Sequence, residues 1–165
     1  MKHIALLICI FFSPFCLAND TLGSNTIKVA FAGYHFTVPP GVIGIGATSP
    51  LQLKFDNDRQ LFAIDSQYAN YDTYSIPMHD FVKAIYGPEQ TENKALVVIR
   101  KELMQGASNS KKLMQGSLTI YYSDFDGKST AQIVDPKNQN HWLTLEGRGI
   151  DLLNIIKHLT LANME

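Results

Sequence analysis

Ser108-Asn109-Ser110-Lys111 has the Ser-x-x-Lys spacing at which a lysine helps activate a serine nucleophile. That chemistry also needs Ser-Asp-Asn and Lys-Thr-Gly elements. Ser123-Asp124 runs on to Phe125, and no Lys-Thr-Gly occurs. The four residues also lie in a stretch, Ala107–Lys112, that reads as a polar loop. Asp124-x-Asp126-Gly127 has the start of a calcium loop, but Ile133 stands where the bidentate glutamate belongs, and the flanking apolar runs make it a hairpin turn. Past residue 18 the histidines are His35, His79, His141 and His158, with neither i,i+4 nor i,i+2 spacing and no His-Glu-x-x-His. No metal and no cofactor is therefore expected. A hydrolase would require His79, Asp80 and Ser108 to meet in one cleft. Gly41, Gly44 and Gly46 follow a strand, but Ser49 replaces the third glycine of a dinucleotide fingerprint.

Two stretches have the chemistry of contact surfaces. Val42, Ile43 and Ile45 lie among those glycines in a run, Val42–Pro50, that reads as a loop. They either pack over a sheet edge or form a mobile apolar flap presented to a partner. Tyr68, Tyr71 and Tyr74 recur every three residues in a polar segment, with Asp65 and Asp72 close by. Tyrosine offers a rigid ring with a hydrogen-bonding tip, so this is either an acidic–aromatic binding patch or a set of rings leaning on the core.

The elements that must position these residues follow from periodicity. Ile27–Ala32 and Tyr34–Val38 are β-rich runs split by Gly33, either a hairpin or one bulged, bent strand, and Leu51–Phe55 and Leu61–Asp65 flank the turn Asp56-Asn57-Asp58 of a hairpin. Pro77 opens a helix over Met78–Tyr86 that Gly87 stops. Glu92–Gln105 is helical by length and by the face Leu96, Ile99, Leu103, with Thr91 as cap, although Val97-Val98-Ile99 favours strand. Leu118–Tyr122, Thr130–Val134 and Trp142–Leu145 are strands, with a turn at Asp135–Asn140. A closing helix is expected over Ile150–Leu161, with Leu152, Ile155, Ile156 and Leu159 on one face. Leu-Met-Gln-Gly occurs at 103–106 and again at 113–116, too short a repeat for a solenoid. The order implies an α+β domain, an antiparallel sheet packed against two or three helices.

The first eighteen residues, MKHIALLICIFFSPFCLA, set the compartment. A basic start at Lys2, an apolar run from Ile4 to Phe12 and a small residue at Ala18 form a secretory signal peptide. Pro14 and the polar Asn19-Asp20 cut the run short of a stable membrane span, which needs about 20 apolar residues. Cys9 and Cys16, the two cysteines, leave with the leader, so the domain rests on its core and not on disulfides. A periplasmic or secreted location in a bacterium fits. The expected organisation is signal peptide 1–18, flexible segment 19–26 and one domain over 27–165. The formal charge of −1 becomes about −2 without Lys2, with no basic stripe for a nucleic acid.

From Leu118 to Leu161, and in the hairpins from Ile27 to Asp65, the plan resembles the Mog1/PsbP-like α+β domains, which implies a helix–sheet sandwich and transfers no site residue. The reading that follows is an exported, non-enzymatic protein-binding domain, in its most concrete version an immunity-type inhibitor of an envelope-targeting toxin. Its contact residues would be Val42, Ile43, Ile45, Tyr68, Tyr71, Asp72 and Tyr74. A small-ligand or glycan-binding envelope accessory using the same tyrosines is the alternative. N-terminal sequencing of protein expressed with its leader in a bacterial host is expected to start at Asn19; a start at Met1 refutes the cleavage.

Overall fold

Alternation of apolar and polar residues along the strands decides the architecture. The computed structural model describes residues 26–46, 50–65, 76–138 and 141–162. Among them, two antiparallel sheets and three helices make one mixed α+β fold.

The smaller sheet holds β1 (Ile27–Phe31), β2 (Tyr34–Val38) and β10 (Thr160–Leu161), in the order β1-β2-β10. Ala32 and Gly33 join the first two with φ of 51° and 79°, the doubly positive turn that matches a hairpin's twist. The larger sheet holds β3 (Val42–Gly46), β4 (Leu51–Phe55), β5 (Gln60–Asp65), β6 (Ser108–Gln115), β7 (Leu118–Phe125), β8 (Lys128–Val134) and β9 (Trp142–Arg148). Its order is β3-β4-β5-β9-β8-β7-β6.

Each face of the larger sheet is buried by a different set of elements. One face presents Leu53, Leu61, Ile120, Ile133, Leu143 and Leu145 to Phe36 and Val38 of the smaller sheet and to Leu152, Ile155 and Ile156 of α3 (Leu152–Lys157). The other presents Tyr121, Val134 and Trp142 to Met78, Phe81, Val82 and Ile85 of α1 (Met78–Tyr86) and Leu96 of α2 (Lys94–Leu103). The Trp142 indole N–H is satisfied there by Gln132 Oε1 and Thr144 Oγ1, both at 3.1 Å. Arg100 of α2 donates to the carbonyls of Ala84, Gly87 and Glu89 at 3.0, 2.7 and 2.7 Å. Its charge thus closes the C-terminal end of α1, where the helix dipole favours a cation.

Both N-terminal hairpins, the helix Met78–Tyr86 and the helical reading of 92–105 match the structure. Four expectations do not. Of the expected loop Ala107–Lys112, Ser108–Lys112 is the first part of strand β6, because an edge strand with little buried surface tolerates polar residues on both faces. Val42–Pro50 is not all loop, since Val42–Gly46 pairs with β4. The closing helix is six residues long; after His158 the chain turns so that Thr160 and Leu161 can pair with β2. The apolar face named for it still holds, with Leu159 buried just beyond its end. Asn93, not Thr91, caps α2 by accepting from Ala95 N and Leu96 N at 3.0 and 3.4 Å, and Thr91 accepts from Asn93 N. Among the described residues no helix is long and apolar enough to cross a membrane.

The fully buried Ile133 of β8 sits in the middle of this arrangement. Ile133→Ala is expected to cost about 2–5 kcal/mol in urea denaturation. Met114→Ala, at a side chain 61 % exposed on β6, is expected to change stability by less than about 0.5 kcal/mol. Equal effects would contradict the assigned core.

Candidate functional site

The candidate site is the open edge of β3. Its chain is pinned at the start: Asp56 N donates to Gly41 O at 3.3 Å, and Asp56 is itself ion-paired to Arg59, whose guanidinium lies 5.7 Å from the Phe55 ring centre. Val42 then stands opposite Phe55 and packs at the margin of the core. The register shifts between Val42 and Gly44, so Ile43 is the extra residue of a bulge. Ile45 faces Leu53 across the pair, while Gly44 and Gly46 face Lys54 and Gln52. Ile43 and Ile45 remain 67 % and 42 % exposed, which is unusual for two isoleucines on one short strand. No described strand pairs with the other side of β3.

The opposite edge of the same sheet is built differently. Strand β6 carries Lys111 and Lys112, has its own register shift between Ser108 and Lys111, and holds Asn109 at φ 50°. Charges and bulges of this kind deter another strand from pairing. Strand β3 has a bulge but no charged residue between Val42 and Gly46. The glycines that made this segment read as a loop lower its strand propensity, and pairing with β4 outweighs them. Tyr68, Tyr71, Asp72 and Tyr74 lie outside the described residues.

The fold also gathers polar residues that spacing did not connect. His141 Nε2 lies 2.9 Å from Asp65 Oδ1, at the end where β5 meets β9. The His141 ring stacks on Tyr34 of β2 with centres 5.7 Å apart and planes 21° from parallel. The Tyr34 hydroxyl is buried and has no hydrogen-bond partner among the described residues. Burial first, then the charges of Asp135 and Asp65, hold its ionisation well above the ordinary tyrosine value. Tyr34 is therefore a neutral phenol at the seam between the two sheets. Asp135 there caps its own turn by accepting from Lys137 N at 3.0 Å. Among the described residues no group of three or more His, Cys, Asp or Glu is placed to hold a metal ion.

The Ser-x-x-Lys and Asp-x-Asp-Gly fragments are neighbours in space. Asp124 accepts from Tyr122 Oη, from Ser129 Oγ at 2.7 Å and from Asn109 Nδ2 at 2.7 Å. Ser108 Oγ reaches Asp124 O at 3.4 Å, and Ser110 and Ser123 hydroxyls meet at 2.9 Å. Lys111 Nζ sits 5.0 Å from the Tyr122 ring centre. The serine and lysine thus stitch β6 to β7. His79 and Asp80 occupy the first turn of α1, and the Ser108 hydroxyl bonds the β7 backbone and neither of them.

No protein-family model matches the chain, and no curated protein sequence matches it.

Burial pushes the Asp124 carboxyl up, but the bonds from Tyr122, Asn109 and Ser129 and the charge of Lys111 outweigh it and leave it below its ordinary 3.8. A carboxylate lowered in the folded state contributes stability above its unfolded value and loses that contribution as pH falls through the folded value. Urea titrations of wild type and Asp124→Asn are therefore expected to differ at about pH 6 and to converge toward about pH 2. A constant gap across that range would contradict the assignment.

Proposed function

We propose that this chain is an exported protein-binding domain that engages its partner by strand addition at the β3 edge. The observation that carries the reading is the contrast within one sheet: a lysine-bearing edge at β6 and an uncharged edge with two exposed isoleucines at β3. In strand addition the open N–H and C=O groups of an edge bond an extended segment of the partner, and side chains at alternate positions set specificity. The chemistry of β3 selects an extended, uncharged segment whose apolar side chains cover Ile43 and Ile45. Glycines at 44 and 46 leave room for larger side chains of the incoming strand.

The leader supports export to the periplasm or the medium, and a small inhibitor that occludes an envelope-targeting toxin is the concrete version. This function needs no catalytic set, no metal and no cofactor. It asks only for a rigid sheet with one accessible edge, and pinning of Gly41 by the Asp56 turn supplies that rigidity.

Tagged mature protein incubated with envelope and secreted fractions is expected to retain one stoichiometric protein. Ile43→Lys should weaken that complex about 30-fold, as for a hot-spot residue worth about 2 kcal/mol. Met114→Lys, on the opposite edge, should leave it unchanged. Equal affinity of both variants and wild type would overturn the edge assignment, and a second copy of this chain as the retained species would overturn the inhibitor reading.

A further inference from the structure

We propose that Asn109 is a modification site: its side-chain amide is lost through attack by the Ser110 nitrogen, and the carboxylate left behind releases the end of strand β6. The sequence singles the residue out. No asparagine of the chain precedes glycine, and Asn109 alone precedes serine. A small residue after asparagine leaves its own backbone nitrogen least shielded, so these two pairs are the most reactive. The fold then puts the pair where the backbone can rearrange. Both residues are exposed on an edge strand, and the register skips them, passing from Ser108 opposite Asp124 to Lys111 opposite Tyr122. Asn109 stands in the left-handed region at φ 50°, outside the extended region of a paired strand.

The reaction needs only water. The Ser110 nitrogen bonds to Asn109 Cγ, its proton passes to the departing amide nitrogen, and ammonia leaves a five-membered succinimide. Water opens that ring at either carbonyl and yields aspartate or isoaspartate. One bond opposes closure. Asn109 Nδ2 donates to Asp124 Oδ2 at 2.7 Å, while the other oxygen, Oδ1, accepts from Tyr122 Oη and from Ser129 Oγ at 2.7 Å. That carboxylate is therefore anchored on β7 and β8, and it tethers the Asn109 amide until the edge opens locally. The product cannot restore the tether. A carboxylate at position 109 donates nothing and would meet the ionised Asp124 at hydrogen-bond distance, where like charges repel. Lys111, whose charge already favours the Asp124 carboxylate, would have to serve both. The change is one-way, so the bulge that guards this edge carries a built-in chemical release. It concerns β6 alone and does not depend on the protein-binding reading at β3.

The test incubates the purified protein in mildly alkaline buffer and maps the products by peptide mass spectrometry. A gain of one mass unit, with isoaspartate, is expected at position 109. Asp124→Ala should speed its formation about tenfold, the size expected when a hydrogen bond to a charged group no longer opposes opening. Ser110→Ile, which leaves the Asn109–Asp124 bond in place and shields the attacking nitrogen, should slow it several-fold. Asn109→Asp, the product made directly, should raise amide hydrogen exchange across 108–112 about tenfold over wild type, while exchange in β8 and β9 stays unchanged. A wild-type chain that forms the product at 109 when unfolded in urea but not when folded would overturn the site. Equal rates in wild type and Asp124→Ala would overturn the tether, and unchanged exchange in Asn109→Asp would overturn the release.

Discussion

Everything in the larger sheet depends on the pairing of β5 with β9. The two strands run antiparallel from Gln60 opposite Arg148 to Asp65 opposite Leu143. This is the only seam that joins the N-terminal strands β3, β4 and β5 to the C-terminal strands β6 to β9 among the described residues. Leu61 and Ala63 on one side and Leu143 and Leu145 on the other carry the core face across it without a break. On the opposite face Arg148 lies 5.8 Å from the Phe62 ring centre and bonds Glu146, which also pairs with Lys128 at 2.7 Å. His141 and Asp65 close its far end. Closing so long a loop is costly in entropy, and burial of Leu61, Ala63, Leu143 and Leu145 along the six paired positions offsets it.

That seam also explains why the two edges differ. Once β5 and β9 occupy the middle, β3 and β6 are left outermost, each with one side unpaired. A soluble sheet must guard such edges or use them. Lysines and irregular backbone guard β6, whereas β3 keeps its isoleucines in view.

Much of this fold is legible in the sequence. Alternation located the hairpins around Gly33, Asp56–Asp58 and Gly127, and the spacing of Leu152, Ile155, Ile156 and Leu159 found the buried face near the C-terminus. What was hidden has a common cause: edge strands bury little, so their sequences need not alternate. Hence β6 read as polar loop and β3 as glycine-rich loop. The shortness of α3 was hidden too, because the pull of β2 on Thr160 and Leu161 is tertiary and leaves no local mark. The meeting of His141 with Asp65 and Tyr34 follows from strand order, which residue spacing does not encode. Val42, Ile43 and Ile45 stood out as apolar residues in a glycine-rich run, but the exposure of Ile43 and Ile45 on a fixed strand, in place of a mobile flap, came only with the register.

The central claim, that β3 is the working edge, is tested most directly by site-specific photocrosslinking. A photoreactive phenylalanine analogue is placed at position 43 or at position 114 in chains expressed with their leader, and cells are irradiated. Both sites are exposed and lie on opposite edges of one sheet. The account predicts a discrete covalent adduct with another protein from position 43 and none from position 114. An adduct from position 114 with none from position 43 would contradict it.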